Sequence, residues 1–336
     1  MQVNKPVLPG QLGDADLRLL RVFKSVVECG GMASAELDLN IAMSTISRHV
    51  KDLETRLGLV LCRRGRAGFA LTPEGTQVYE AALNLLSATD AFRGRLHDIH
   101  RRLGGDLHVA VFEKTATNPQ ARIAEALAQF HQQVPRARLH LHVGTIGAIE
   151  RGVIDGQFHL GIIPEHRSSD SLVYQELFGE TMLLYAGQGH PWFAATGAQP
   201  GWDDLRTQKL AGLGYHSPNL ELTHLRRLER GATASDQESV AMLVLSGQFV
   251  GFLPEHYAEV FVRSGRMRAV SPAVLNYTCR FSAILRKSPK PLRLTQAFFD
   301  ALCRAHAAPD EGLTAASRRS RRDRPTGAGR ADTGSD

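Results

Sequence analysis

A chain of 336 residues with 43% hydrophobic and 22% charged side chains has an ordinary globular make-up, which excludes a fibre or a wholly disordered chain and suits two or three folded units. Its formal net charge of +6 is compatible with a polyanionic partner but too small to require one. Cys29, Cys62, Cys279 and Cys303 are scattered with no CxxC pair, against a zinc cluster or a disulfide scaffold, and no apolar run is long enough for a membrane span or an export signal, so a cytoplasmic protein with no membrane partner is expected.

Residues 1–15 read as an N-terminal arm. From Asp16 onward Leu17, Leu20, Phe23 and Val27 recur at helical spacing, and Cys29-Gly30-Gly31 supplies a helix stop. A short second helix through Ala33, Ala35 and Leu39 ends in the turn Asn40-Ile41-Ala42. In the run 44–57, Ile46, Val50, Leu53 and Leu57 form one apolar stripe, with Ser44, Arg48, Lys51 and Thr55 opposite. One buried side facing away from hydroxyls and cations is what a helix in the DNA major groove requires. Residues 61–71 then place Arg63, Arg64 and Arg66 around glycines between apolar flanks, the pattern of a hairpin with a cationic tip. A lone basic amphipathic helix is usually a solvated surface helix. Three short helices followed by an arginine-tipped hairpin point instead to DNA.

Thr72-Pro73-Glu74 combines a hydroxyl cap, a first-turn proline and an acid at the positive end of the helix dipole. In the helix it opens, Val78, Ala82, Leu85, Thr89, Phe92, Leu96, Ile99 and Leu103 alternate spacings of four and three, a coiled-coil seam. A second copy of the same helix would cover that seam, with Thr89 helping to set register; packing on its own chain is the alternative.

Phe23, Gly30, Ala35, Leu39, the run Ser44-Thr45-Ile46-Ser47-Arg48, Leu53-Glu54, Leu57-Gly58, Leu61, Arg64 and Leu71-Thr72-Pro73-Glu74-Gly75 together resemble the LysR-type transcriptional regulators. The resemblance implies a winged helix-turn-helix over 16–72, a dimerisation helix over 73–104 and an effector-binding domain over 105–306. It implies a homodimer or dimer of dimers on double-stranded promoter DNA, meeting RNA polymerase if it activates. The DNA-contact positions it carries over are Met43, Ser44, Ser47, Arg48 and Arg64, beside Thr45, Lys51, Arg63 and Arg66 on the same surfaces. Where members often have glutamine this chain has Met43, which cannot form a bidentate bond to adenine, and Met32 and Ala33 replace a common aromatic-serine pair.

Beyond Gly104-Gly105 short apolar strands alternate with helices: 107–112, a helix to Val134, 139–143, a helix to Asp155, and 158–163. A second alternation runs from about 186 through 210–213, a helix over 220–230, a helix from Asp236, and 249–254. This is an α/β pattern of parallel type. The resemblance makes it a two-lobed, periplasmic-binding-protein-like domain, with lobe I over 105–185 and 277–306, lobe II over 186–276, and a return of the chain at 277–285. Residues 307–336, with an arginine cluster and few large apolar groups, read as a disordered tail.

Ligands of open α/β sheets lie at the carboxyl ends of strands, against helix N-termini. That rule selects Glu113, Lys114, Thr115 and Thr117 after one strand, Thr145 after the next, Tyr215 and Ser217 before Pro218, and Asp236 and Gln237 opening a helix. Thr117, Ser217 and Asp236 suit helix caps equally well. A small carboxylate or amino-acid-like effector is expected, non-covalently bound and with no cofactor: Lys114 and helix N-termini would hold an anion, Glu113 or Asp236 an ammonium. His140 and His142 share a strand face without a third ligand, and no Walker loop, GxSxG, HExxH or GxGxxG motif is present, so neither a metal site nor an enzyme is expected.

Overall fold

The structure is a computed structural model that describes residues 12–65, 68–99, 103–194 and 199–307. Most of the expected arm, Arg66 in the hairpin, and the tail beyond Ala307 lie outside the described residues.

Helices α1 (Asp14–Glu28), α2 (Met32–Leu39) and α3 (Met43–Leu57) form the N-terminal unit. Left-handed residues stop the first two, Gly30 at φ 71° and Asn40 at φ 51°. The stripe read from the sequence turns inward: Ile46 and Val50 bury against Val22, Val26, Met32 and Ala35, and Leu53 against Leu19, Leu20 and Phe23. The antiparallel hairpin of β1 (Cys62–Gly65) and β2 (Gly68–Leu71) follows, with Cys62 opposite Leu71. Glu54 of α3 accepts hydrogen bonds from the backbone N–H of Leu61 at 2.8 Å and Cys62 at 3.3 Å, which ties the wing to the helix. The buried Asp16 carboxylate pairs with Arg56 at 2.6 Å, closing α1 onto the far end of α3.

Helix α4 (Pro73–Ile99) starts where the capping signal places it. Thr72 Oγ1 accepts from Gly75 N at 2.8 Å and donates to the Val60 carbonyl at 2.6 Å, locking the first turn to the wing. The seam then divides. Val78, Ala82 and Leu85 pack on the N-terminal core of the same chain, whereas Phe92 and Leu96 are 62% and 40% exposed. Thr89 bonds back to the Leu86 carbonyl at 2.7 Å.

In the remaining chain, β3 (Gly105–Phe112), α5 (Ile123–Gln133), β4 (Ala137–Gly144), α6 (Ile146–Ile154) and β5 (Leu160–Pro164) make a parallel unit. The long β6 (Leu172–Gly187) leads through α7 (Pro191–Ala194) and α8 (Trp202–Leu205) to β7 (Leu210–Leu213), α9 (Pro218–Leu225), β8 (Arg230–Ala234), α10 (Gln237–Leu245) and β9 (Val250–Pro254). Then come α11 (Glu255–Arg263), β10 (Met267–Ala269), β11 (Asn276–Arg286) and α12 (Arg293–Ala307). The strands join in the order β4-β3-β5-β11-β6-β9-β7-β8, with β10 on β6. Strands β7, β8 and β9 are parallel, whereas β6 and β11 run antiparallel to each other and to their neighbours.

Two details differ from the sequence pattern. The arrangement is not uniformly parallel, because β6 and β11 both cross between the lobes. The helix expected over 220–230 ends at Leu225: Arg227 takes a left-handed φ of 53° and Arg230 already begins β8.

Gly75 lies so close to the wing that a Cβ there would sit 1.9 Å from the backbone oxygen of Leu61. Gly75→Ala is expected to lower stability by about 1–3 kcal/mol, measured by urea unfolding followed by circular dichroism.

Candidate functional site

On the N-terminal unit, Ser44, Arg48 and Lys51 stand exposed, and Thr45 and Ser47 half-buried, around the side of α3 away from Ile46, Val50 and Leu53, while Met43 is exposed at the first turn of the helix above that stripe. Arg63 is exposed on β1, and Arg64 follows it on the same strand. The exposed side is therefore a ridge of hydroxyls and cations with an apolar Met43, 49% exposed, at its start.

The second group lies where strands of both lobes end. Lys114, at φ 61°, turns the chain out of β3. Glu113 Oε1 accepts the Gln237 backbone N–H at 2.8 Å, at the first turn of α10 where free N–H groups attract an acid. Lys114 Nζ pairs with Glu238 at 3.1 Å and lies 4.7 Å from the centre of the Tyr257 ring. Thr117 Oγ1 is 2.8 Å from His256 Nδ1, and His256 Nε2 is 3.0 Å from the buried Glu180 carboxylate. The loop after β3 thus reaches α10 and α11 of the other lobe by three polar bridges.

Some of the selected residues serve the backbone. Asp236 caps α10 through Ser239 N at 2.7 Å, and Ser217 caps α9 through Leu220 N at 3.3 Å. Thr115 is buried and donates to the Phe112 carbonyl at 3.3 Å. Thr145 is exposed at the N-cap of α6 and makes no side-chain cap bond. Tyr215 and Gln237 differ from these. The Tyr215 hydroxyl and Gln237 Oε1 are buried with no hydrogen-bond partner among the described residues.

A further cluster escaped the sequence reading. His166, beyond the end of β5, has Nε2 3.7 Å from the buried Glu150 of α6 and a ring centre 5.1 Å from that of His216, beyond β7. Its Nδ1 is buried without a partner among the described residues. Glu180, Glu238 and Tyr257 were likewise not foreseen. His166 and His256 follow strands and obey the same strand-end rule that found Glu113; Glu180 lies within β6 and carries no local signal.

Burial dominates the electrostatics. It pushes Glu113 up to about 7, with the Asp236 charge adding and the Gln237 hydrogen bond opposing. It raises Glu180 against the pull of His256, and raises Tyr215 together with the Glu113 and Asp236 charges. Burial alone would lower Lys114, but the Glu238 bond and the nearby Tyr257, Glu238 and Glu113 outweigh it and hold the ammonium above its usual value.

On β3 and β4, His108 stacks on His140 with ring centres 4.3 Å apart, and its Nδ1 is 3.3 Å from His142 Nε2. Burial, then the neighbouring imidazoles, hold His108 down at about 4. Among the described residues no group of three or more His, Cys, Asp or Glu is arranged to hold a metal ion, and no helix is long and apolar enough to cross a membrane.

A family model described as bacterial regulatory helix-turn-helix protein, lysR family, matches residues 17–76, and one described as LysR substrate binding domain matches 100–307. The HTH-type transcriptional activator BauR of Pseudomonas aeruginosa is 38% identical over 293 residues, covering 87% of this chain and 96% of BauR. The HTH-type transcriptional activator AllS of Klebsiella pneumoniae is 27% identical over 269 residues, 76% of this chain and 94% of AllS. Among solved structures, full-length CbnR complexed with its target DNA matches with a TM-score of 0.59 at 22% identity, over 86% of this chain and 99% of that one. The Vibrio cholerae virulence activator AphB matches at 0.52 and 17% identity, over 86% of this chain and 99% of AphB. These structural matches establish the shared fold.

Because Glu113 rises from 4.5 to about 7, the folded protein holds that proton more tightly than the unfolded chain. The resulting stability is fully present below pH 4.5 and is lost as pH rises through 7. Glu113→Gln keeps an acceptor for Gln237 N and removes the titration. Urea melts stepped from about pH 5 to pH 8 should show the wild type losing stability relative to the variant; a difference that stays flat with pH would contradict the assignment.

Proposed function

Because the chain belongs to the LysR family of DNA-binding transcription regulators, we propose that it acts as a homodimer, or a dimer of dimers, on promoter DNA under the control of a small effector held between its lobes. The observation that carries this reading is the meeting of both lobes at their strand ends, where Glu113 bonds Gln237 N at 2.8 Å beside buried polar atoms that have no partner among the described residues. Buried polar groups are satisfied in stable proteins, and a polar ligand would satisfy these. A carboxylate or amino-acid-like compound, bound non-covalently without a cofactor, suits the mixture of Glu113, Lys114, Tyr215, Asp236 and Gln237; Thr115, Ser217 and Thr145 shape the surrounding turns and helix starts. Regulation takes place in the cytoplasm, where promoter DNA is found. By analogy with BauR and AllS, which are named activators, the DNA-bound dimer would engage RNA polymerase.

On DNA, Ser44, Thr45, Ser47, Arg48 and Lys51 would enter the major groove, with Arg63 and Arg64 at the backbone beside the wing. Met43 would favour an apolar contact such as a thymine methyl group. Arg48→Ala, assayed by gel shift on an operator recovered by binding selection, should weaken binding about tenfold or more; if Arg48 touches phosphate, it should also reduce the salt slope by about one. Wild-type affinity in that variant would remove Arg48 from the interface.

Dimerisation would use the outward half of the α4 seam. Phe92 and Leu96 are exposed on one chain, and in a parallel or antiparallel helix pair they would be buried. The double change Phe92→Asp and Leu96→Asp should shift the protein to monomer in sedimentation velocity while circular dichroism stays unchanged. A dimer that survives it would place the interface elsewhere.

A further inference from the structure

We propose that the effector carries an amine, and that its ammonium group is seated among Glu113, the Tyr215 hydroxyl and Gln237 Oε1. The inference rests on the reading of the cleft as the effector site and adds the chemical class of the ligand.

The polar atoms on offer are acceptors. An ionised Glu113 only accepts hydrogen bonds, and an amide oxygen only accepts; a tyrosine hydroxyl can do either. Gln237 is 4% exposed, and its Oε1 has no partner among the described residues. The Tyr215 hydroxyl is in the same condition, and lies close enough to Glu113 and Asp236 to feel both charges. An ammonium group presents up to three donors from a single atom, and the three residues are neighbours: Glu113 bonds Gln237 N at 2.8 Å and its charge reaches the Tyr215 hydroxyl.

Charge gives the same answer independently. Glu113, Asp236 and Glu238 surround one cation, Lys114, and that cation is occupied by Glu238 at 3.1 Å and by the Tyr257 ring. A carboxylate placed beside Glu113 would meet like charge in a partly desolvated site. Lys114 already shares its charge with Glu238 and the Tyr257 ring, so an anion there would have to compete for it. A cation placed there instead compensates the half-buried Glu113 and restores its ionised form. The anion-holding role expected for Lys114 from its position is therefore the less favourable one in this geometry.

The test uses the full chain and two matched sets of probes: the standard amino acids with short α,ω-diamines, and the nitrogen-free carboxylic acids of the same lengths. Thermal shift identifies binders and calorimetry gives affinities, with operator binding as the check that each variant is folded. At least one amine should raise Tm while its nitrogen-free counterpart does not. Glu113→Gln, which keeps the bond to Gln237 N, should weaken that amine about tenfold or more. Tyr215→Phe should weaken it too, but less than Glu113→Gln. Binding of a nitrogen-free acid that is lost in Lys114→Gln would overturn the ammonium assignment and keep the cleft as the effector site. Amine binding indifferent to both Glu113→Gln and Tyr215→Phe would overturn the assignment and the cleft together. A panel in which no amine binds would overturn the ammonium assignment.

Discussion

The antiparallel pairing of β6 with β11 is the constraint on which the effector half depends. It runs from Leu172 opposite Arg286 to Leu183 opposite Asn276, with a register shift between Phe281 and Ser282. On one flank β11 pairs with β5, Phe281 opposite Pro164; on the other β6 pairs with β9, Met182 opposite Pro254. Strands joined by continuous backbone hydrogen bonds resist sliding, so relative movement of the lobes is confined to bending and twisting of this pair. The same pairing directs the carboxyl ends of the parallel strands of both lobes toward each other. Glu113 meets Gln237, and His166 meets His216, for that reason, although the members of each pair are far apart along the chain.

What collects there is costly to bury. Glu113 and Glu180 are raised by burial, and so is Glu150. Removing a carboxylate from water costs several kcal/mol, whereas each hydrogen bond that bridges the lobes returns on the order of 1 kcal/mol, or somewhat more where one partner is charged. Bridges such as Thr117 to His256 and Glu113 to Gln237 N therefore close the lobes against a penalty of comparable size. Closed and open arrangements separated by so small a difference are what a ligand can redistribute, within the limit of its own preference between them.

The sequence was most legible where structure is local. The α3 stripe, the left-handed stops at Gly30 and Asn40 and the Thr72 cap each depend on neighbours within a few residues, and each lies where the pattern places it. Strand β6 was obscure as a single element because its first half mixes exposed and buried residues while residues 182–187 are all buried, so no one period describes it. The helix stop at Arg227 was hidden because arginine carries no bias toward the left-handed conformation it adopts there. Glu180 meets His256 across 76 residues, a pairing that only the crossing of β6 creates. Similarly, heptad spacing revealed an apolar face on α4 without saying what covers it: Val78, Ala82 and Leu85 turn to their own chain while Phe92 and Leu96 do not.

Helix α6 connects the strand ends of lobe I to α4 through a contact at its middle and others at its C-terminal end. Glu150, along its length, faces His166 at 3.7 Å. At and just past its C-terminal end, the Ile154 carbonyl accepts a hydrogen bond from Arg286 of β11 at 3.3 Å and the Gly156 carbonyl accepts one from Ser87 of α4. Ile146, Ile149 and Val153 are buried at 1% exposure or less, and a helix so packed shifts as a body, because close-packed interiors do not deform locally at low cost. A displacement of His166 against Glu150 is thus also a displacement at Ser87, which lies on the helix that opens at Thr72 against the wing. Occupancy of the cleft can change the position of α3 on DNA only to the extent that the ligand distinguishes the two placements of α6, and DNA must then alter ligand affinity by the same factor.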